Sequence, residues 1–146
     1  MTYPIGNTSL SAEALHQLAI FEKSLLKSIE IARGGNRGWA SQTILKQLRD
    51  FVECVMFLVI FQKGKSRQKY NYHNICIAIT EVKKQSKFRF LWKFHDFLQI
   101  SVSHYTPDEN ASERLMLKYY DYLIDIRSYL DKEFNIKTLQ YLDLFP

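Results

Sequence analysis

This chain should fold as one all-α domain, an antiparallel bundle of about five helices. Three observations lead there. Apolar residues recur at helical spacing through most of the 146 residues. No stretch alternates apolar and polar residues convincingly enough to form a strand. The connecting segments are short, so consecutive helices pack as antiparallel neighbours. Apolar residues make up 47% of the chain, enough for a core without disulfides or metals. There is no internal repeat, low-complexity tract or linker, so residues 1–146 read as a single domain. An N-terminal arm occupies 1–10, the bundle 11–134 and a C-terminal tail 135–146.

The first helix is expected from about Ser11 to Arg33. Ser11 is its N-cap, and Leu10 and Leu15 are placed as a hydrophobic staple. Leu15, Leu18, Phe21, Leu25 and Ile29 form its apolar stripe, and Gly34-Gly35 stops it. The second helix runs from about Trp39 to Gln62. Its first half is amphipathic. Its second half, Phe51 to Phe61, is apolar nearly all round, which marks a central helix. After a basic loop, a third helix spans about His73 to Lys84, with Ile75, Ile79 and Val82 inward. The fourth spans about Phe88 to Ser103. Only its Arg89, Lys93 and Asp96 sector is clearly polar, so other helices should enclose most of it. Thr106-Pro-Asp-Glu109 is a capping box with proline at N1, opening a fifth helix to about Phe134. The tail should make one short turn and pack back through Leu139, Tyr141, Leu142 and Leu144.

The charge is unevenly placed. The formal net charge is +5, yet Lys63, Lys65, Arg67, Lys69, Lys83, Lys84, Lys87, Arg89 and Lys93 meet one acid, Glu81, between positions 63 and 93. Such a segment points to a face that meets a polyanion. Solvated surface lysines read equally well from sequence alone. The two cysteines, Cys54 and Cys76, lack metal-ligand spacing and are too few for a disulfide framework. Cys54 should be a buried thiol, and this cysteine usage fits a reducing cytoplasm. The first residues do not read as a signal peptide. The run from Phe51 to Phe61 is far below the roughly 20 residues needed to span a bilayer, so no membrane partner is expected. No metal or cofactor motif occurs: there is no Walker loop, GxGxxG, HExxH or nucleophile elbow.

The motif that carries chemistry is Arg89-Phe-Leu-Trp-Lys-Phe-His95, on the aromatic fourth helix after the basic stretch. Together with the all-α plan and the charged turn Gln47-Leu-Arg-Asp-Phe-Val-Glu53, it resembles the HEPN superfamily of ribonucleases and nucleotide-binding modules. Members commonly carry an Arg, four to six residues, then a His. That resemblance implies metal-independent RNA cleavage at a dimer interface. It also implies a homodimer, RNA as partner, a role in prokaryotic defence or as a toxin, and a cognate antitoxin or larger defence complex. In such a site His95 is the general acid/base and Arg89 the phosphate clamp, because imidazole titrates near neutrality and the guanidinium fork suits phosphorane charge. The sequence departs from the family in having Phe90 where a polar residue often follows the Arg.

Two other readings stand beside this one. Six residues along a regular helix separate Arg89 and His95 by about 120° and about 9 Å, so they meet only if the helix starts after Arg89 or the site is composite. Otherwise His95 is a core histidine, and Arg89 pairs with Asp96. The chain is then a non-catalytic interaction or oligomerisation module, or a basic nucleic-acid-binding domain. His104, at the end of the fourth helix, is a possible accessory acid/base group or a helix cap. Asp50 and Glu53 either face the site or pair locally with Arg49 and Lys46, and the local pairing is the expectation.

Overall fold

The computed structural model describes residues 12–33, 37–61, 69–103 and 119–144. All regular structure among them is helical, and the antiparallel bundle is the observed architecture. The helices are α1 (Ala12–Arg33), α2 (Arg37–Phe61), α3 (Tyr72–Lys83), α4 (Arg89–Ser103) and α5 (Tyr120–Phe134), with 3-10 turns at Ser86–Phe88 and Gln140–Leu144. No described helix is long and apolar enough to cross a membrane.

The centre is α2, which packs against α1, α3 and α4. Its second half explains why. Phe51, Val52 and every residue from Cys54 to Val59 are buried. A helix apolar on all sides is stable only when neighbours surround it, and each large side chain removed from water contributes about 1.5–3 kcal/mol. Helix α1 supplies Ala14, Leu15, Leu18 and Leu25 from one stripe. The Cys54 thiol is buried and donates to the Ala14 carbonyl oxygen at 3.4 Å.

Helix α3 starts at Asn71, whose Oδ1 accepts from the Asn74 amide at 2.9 Å, while Asn74 Nδ2 donates to the Lys69 carbonyl at 2.7 Å. That cap satisfies donors that have no partner inside the helix. Only residues 84–88, which include the Ser86–Phe88 turn, lie between the end of α3 at Lys83 and the start of α4 at Arg89, so the two helices meet at a tight corner. Trp92 Nε1 donates back to the Gln85 carbonyl at 3.3 Å and braces it.

Aromatic rings join α4 to α5. Phe94 stacks on Tyr122 at 5.0 Å and leans on Tyr119 at 5.2 Å; Phe88 and Phe90 both meet Tyr129. Such pairs add about 0.5–1.5 kcal/mol beyond their area.

Two details differ from expectation. The fifth helix, expected from Thr106, begins at Tyr120 within the described residues. Tyr119, at φ −104° and ψ 8°, stands outside the helical basin. Its buried side chain explains the departure: Tyr119 is anchored by its ring on Phe94 and its hydroxyl 2.7 Å from Ser101 Oγ. The capping box at 106–109 lies outside the described residues, as does the cap at Ser11. Helix α4 is also less enclosed than its pattern implied, since Phe97 and Ile100 are 40% and 59% exposed.

The tail packs back as expected through Leu139 and Leu142, both fully buried. Asn135 ends α5 in the left-handed region (φ 54°), and the Ile136 amide reaches the Leu130 carbonyl at 3.1 Å, closing the helix end. Glu22, buried in α1, accepts from the Thr138 hydroxyl and the Leu139 amide, each at 2.7 Å. Leu139 takes a positive φ of 57°, unfavourable for a residue with a branched side chain. The Glu22 bond to its amide offsets that strain.

Candidate functional site

The two motif residues leave α4 on different faces. Arg89 is exposed at the first turn, its guanidinium 6.0 Å from the Trp92 ring centre. His95 is 1% exposed, and its Nε2–H donates to Glu53 Oε2 at 2.8 Å across the α2–α4 contact. Its Nδ1 is also buried, with no hydrogen-bond partner among the described residues. Because α4 is helical from Arg89 onward, the phase difference read from the spacing stands within one chain, and the pair is not brought together. Asp96, the alternative partner for Arg89, is instead bound by Lys83 at 2.9 Å, tying α3 to α4.

The basic residues divide into two groups. Lys83 and Lys84 are neutralised, by Asp96 and by Glu81 at 3.1 Å. Lys87, Arg89 and Lys93 have no carboxylate partner among the described residues. Each lies over a ring: Lys87 over Phe88 at 5.0 Å, Arg89 over Trp92, and Lys93 over Phe97 at 5.9 Å. Arg89, Lys93 and Phe97 follow one another at intervals of four on the same helix face, so two cations and a ring share its outer ridge. Lys69 is exposed beside the cap of α3. Lys63, Lys65, Arg67 and His104 lie outside the described residues.

A feature the sequence reading missed lies beside the His95–Glu53 bond. A cleft of about 630 Å³ opens between α2, α3 and the segment leading into α3. Arg49, Asp50 and Glu53 line one wall, Tyr70, Tyr72 and Cys76 another, and Gln99 of α4 reaches its edge. Arg49 does not pair with Glu53, as had been expected, but donates weakly to Gln99 Oε1 at 3.4 Å. The His95 imidazole draws Glu53 away from its own helix. Asp50 has no hydrogen bond or ion pair among the described residues. Burial pushes its carboxyl above the ordinary value of 3.8; the Arg49 charge opposes this and Glu53 adds to it. Tyr70 is fixed edge-on to Phe57 at 5.0 Å. Burial raises its phenol and raises the neighbouring Cys54 thiol to about 12, so neither is a nucleophile at neutral pH. Tyr72 is 82% exposed at the cleft mouth, and the neighbouring Cys76 side chain pushes its phenol above the ordinary value of 10.0.

No group of three or more His, Cys, Asp or Glu residues able to hold a metal occurs among the described residues. No family model, curated protein or solved structure matches the chain.

Proposed function

We propose that this protein is a helical RNA-binding module whose contact surface is the outer ridge of α4 and the corner before it. One observation carries the reading: Lys87, Arg89 and Lys93 have no carboxylate partner among the described residues and each lies over a ring, of which Trp92 and Phe97 are partly open to solvent. Unneutralised cations bind the phosphate backbone, and open rings stack on unpaired bases. Lysines placed only for solubility would not need ring partners at each step. The HEPN resemblance points to the same partner, RNA.

That resemblance adds metal-independent cleavage, with Arg89 as phosphate clamp and His95 as acid/base. The step asks more of the fold than binding does. Both nitrogens of His95 are closed to solvent, so α4 would have to release the ring before it met a ribose hydroxyl. We therefore assign His95 to holding Glu53 and Arg89 to phosphate.

The test is anisotropy of a labelled single-stranded RNA across a salt series, wild type beside the Lys87→Ala, Arg89→Ala, Lys93→Ala triple variant. Losing three phosphate contacts should weaken binding and flatten the salt slope by about 2, at about 0.7 per contact. An unchanged slope overturns the ridge as the contact surface. The same RNA incubated in EDTA gives the cleavage answer: turnover lost in folded Arg89→Ala and His95→Ala would restore the catalytic pair.

A further inference from the structure

Within the RNA-binding reading, we propose that the α2–α3 cleft is a base-recognition pocket for guanine, with Asp50 and Glu53 accepting from its N1–H and N2 amino edge. The carboxylates sit three residues apart on α2, so they occupy one helix face and open on one space. Glu53 has a single bond to spend on the protein. Its Oε2 takes the His95 proton donor, which fixes the side chain in the cleft wall, where it stays 20% exposed. Asp50 is half-buried and has no hydrogen bond or ion pair among the described residues, so its carboxyl oxygens can accept from a donor that enters the cleft.

The remaining lining selects the donor. A guanidinium or ammonium group from a peptide offers similar N–H groups, but Arg49 stands in the same wall and opposes a second cation. Guanine is neutral. It presents two adjacent donors on one edge and the O6 and N7 acceptors beside them, which suit the Arg49 fork and the Gln99 amide. Adenine lacks the N1–H donor, and uracil and cytosine lack the adjacent amino–imino donor pair flanked by two acceptors. Tyr72 supplies an exposed ring at the mouth for stacking, and the rigid Tyr70 closes the inner wall. A volume of about 630 Å³ is within the ordinary range for small-molecule pockets.

The experiment titrates the whole protein with the four ribonucleoside monophosphates and with N-acetylarginine amide, followed by amide chemical shifts. Guanosine monophosphate should bind at least tenfold more tightly than the other three and shift residues 49–53 and 70–76. Glu53→Gln keeps an oxygen for His95, and Asp50→Asn keeps the shape. Each should weaken guanosine monophosphate at least tenfold with circular dichroism unchanged, while Lys132→Ala, at an exposed position of α5 outside the cleft lining, should leave it as in wild type. Equal binding of all four nucleotides, or no binding, overturns the pocket; if the RNA still binds through the ridge, the RNA reading survives that failure. Preference for N-acetylarginine amide makes the occupant a peptide guanidinium and overturns the guanine assignment. Guanosine monophosphate binding with no RNA binding at the ridge would instead overturn the RNA reading and leave the pocket.

Discussion

The inner and outer faces of α4 use similar residue types for opposite ends. Inward, Phe94 and His95 are buried: the ring is stacked on Tyr122 and the imidazole is tied to Glu53. Outward, Phe97 is 40% exposed and Arg89 and Lys93 lie over rings at the surface. An aromatic residue and a titratable or charged one occur on each side. What separates them is helical phase, because a residue's face decides whether its polar atoms are spent on the protein or offered to a partner. A motif defined by spacing alone, such as Arg89 to His95, can therefore join one residue from each face.

The sharpest way to break this comparison is to cut the inner face. His95→Ala removes a buried ring and leaves Glu53 without its donor, so it combines a cavity with a lost charge-assisted hydrogen bond. Destabilisation of about 2–4 kcal/mol is expected in urea unfolding, with an unchanged denaturant slope. A loss under about 0.5 kcal/mol would mean that the imidazole is not part of the core, and the catalytic assignment would regain its footing.

Much of the bundle was legible because burial leaves a periodic trace. The second half of α2, the Leu123, Ile126 and Leu130 stripe of α5, and the packed tail follow from apolar spacing. The start of α5 at Tyr120 was not legible. It depends on where the Tyr119 hydroxyl and ring find partners on α4, and sequence holds no record of that distance. The site was hidden for the same reason. Asp50 and Glu53 look like partners of Arg49 and Lys46 when only their own helix is considered. The Glu53 bond to His95 spans 42 positions, and the cleft exists only where α2, α3 and Gln99 converge. One signal was present: two acids on the long central helix, at the turn where its amphipathic half gives way to its apolar half.

A middle-sized effect should come from the cleft, where the sign can be worked out. Asp50 holds its proton to a higher pH in the folded chain than in the unfolded one, because burial disfavours the carboxylate. The folded state then binds more protons between the two values, so stability falls as pH rises through that window. Above it the whole penalty is present. Asp50→Asn removes the penalty and should raise the unfolding midpoint at pH 7, by less than about 1 kcal/mol after screening at a half-exposed site. The gain should shrink as pH falls and vanish below the ordinary carboxylate value of 3.8. A gain that is constant with pH would assign the effect to packing. A loss at pH 7 would show that the carboxylate has a partner in the fold.

The smallest effect on stability belongs to the outer face. Arg89 is exposed, has no carboxylate partner among the described residues, and its ring contact is 6.0 Å long. A contact of that kind at a wet site contributes about 0.5–1 kcal/mol at most, and alanine is the better helix former at this first-turn position. The two terms oppose, so Arg89→Ala should unfold within about 0.5 kcal/mol of wild type in the same urea experiment. The contrast with His95→Ala is the informative quantity. A residue that the fold scarcely uses is kept for something outside it, whereas one whose removal costs several kcal/mol is already accounted for by the core. If Arg89→Ala proved as damaging as His95→Ala, the outer ridge would be part of the bundle's own packing, and its cations would not be free for a polyanion.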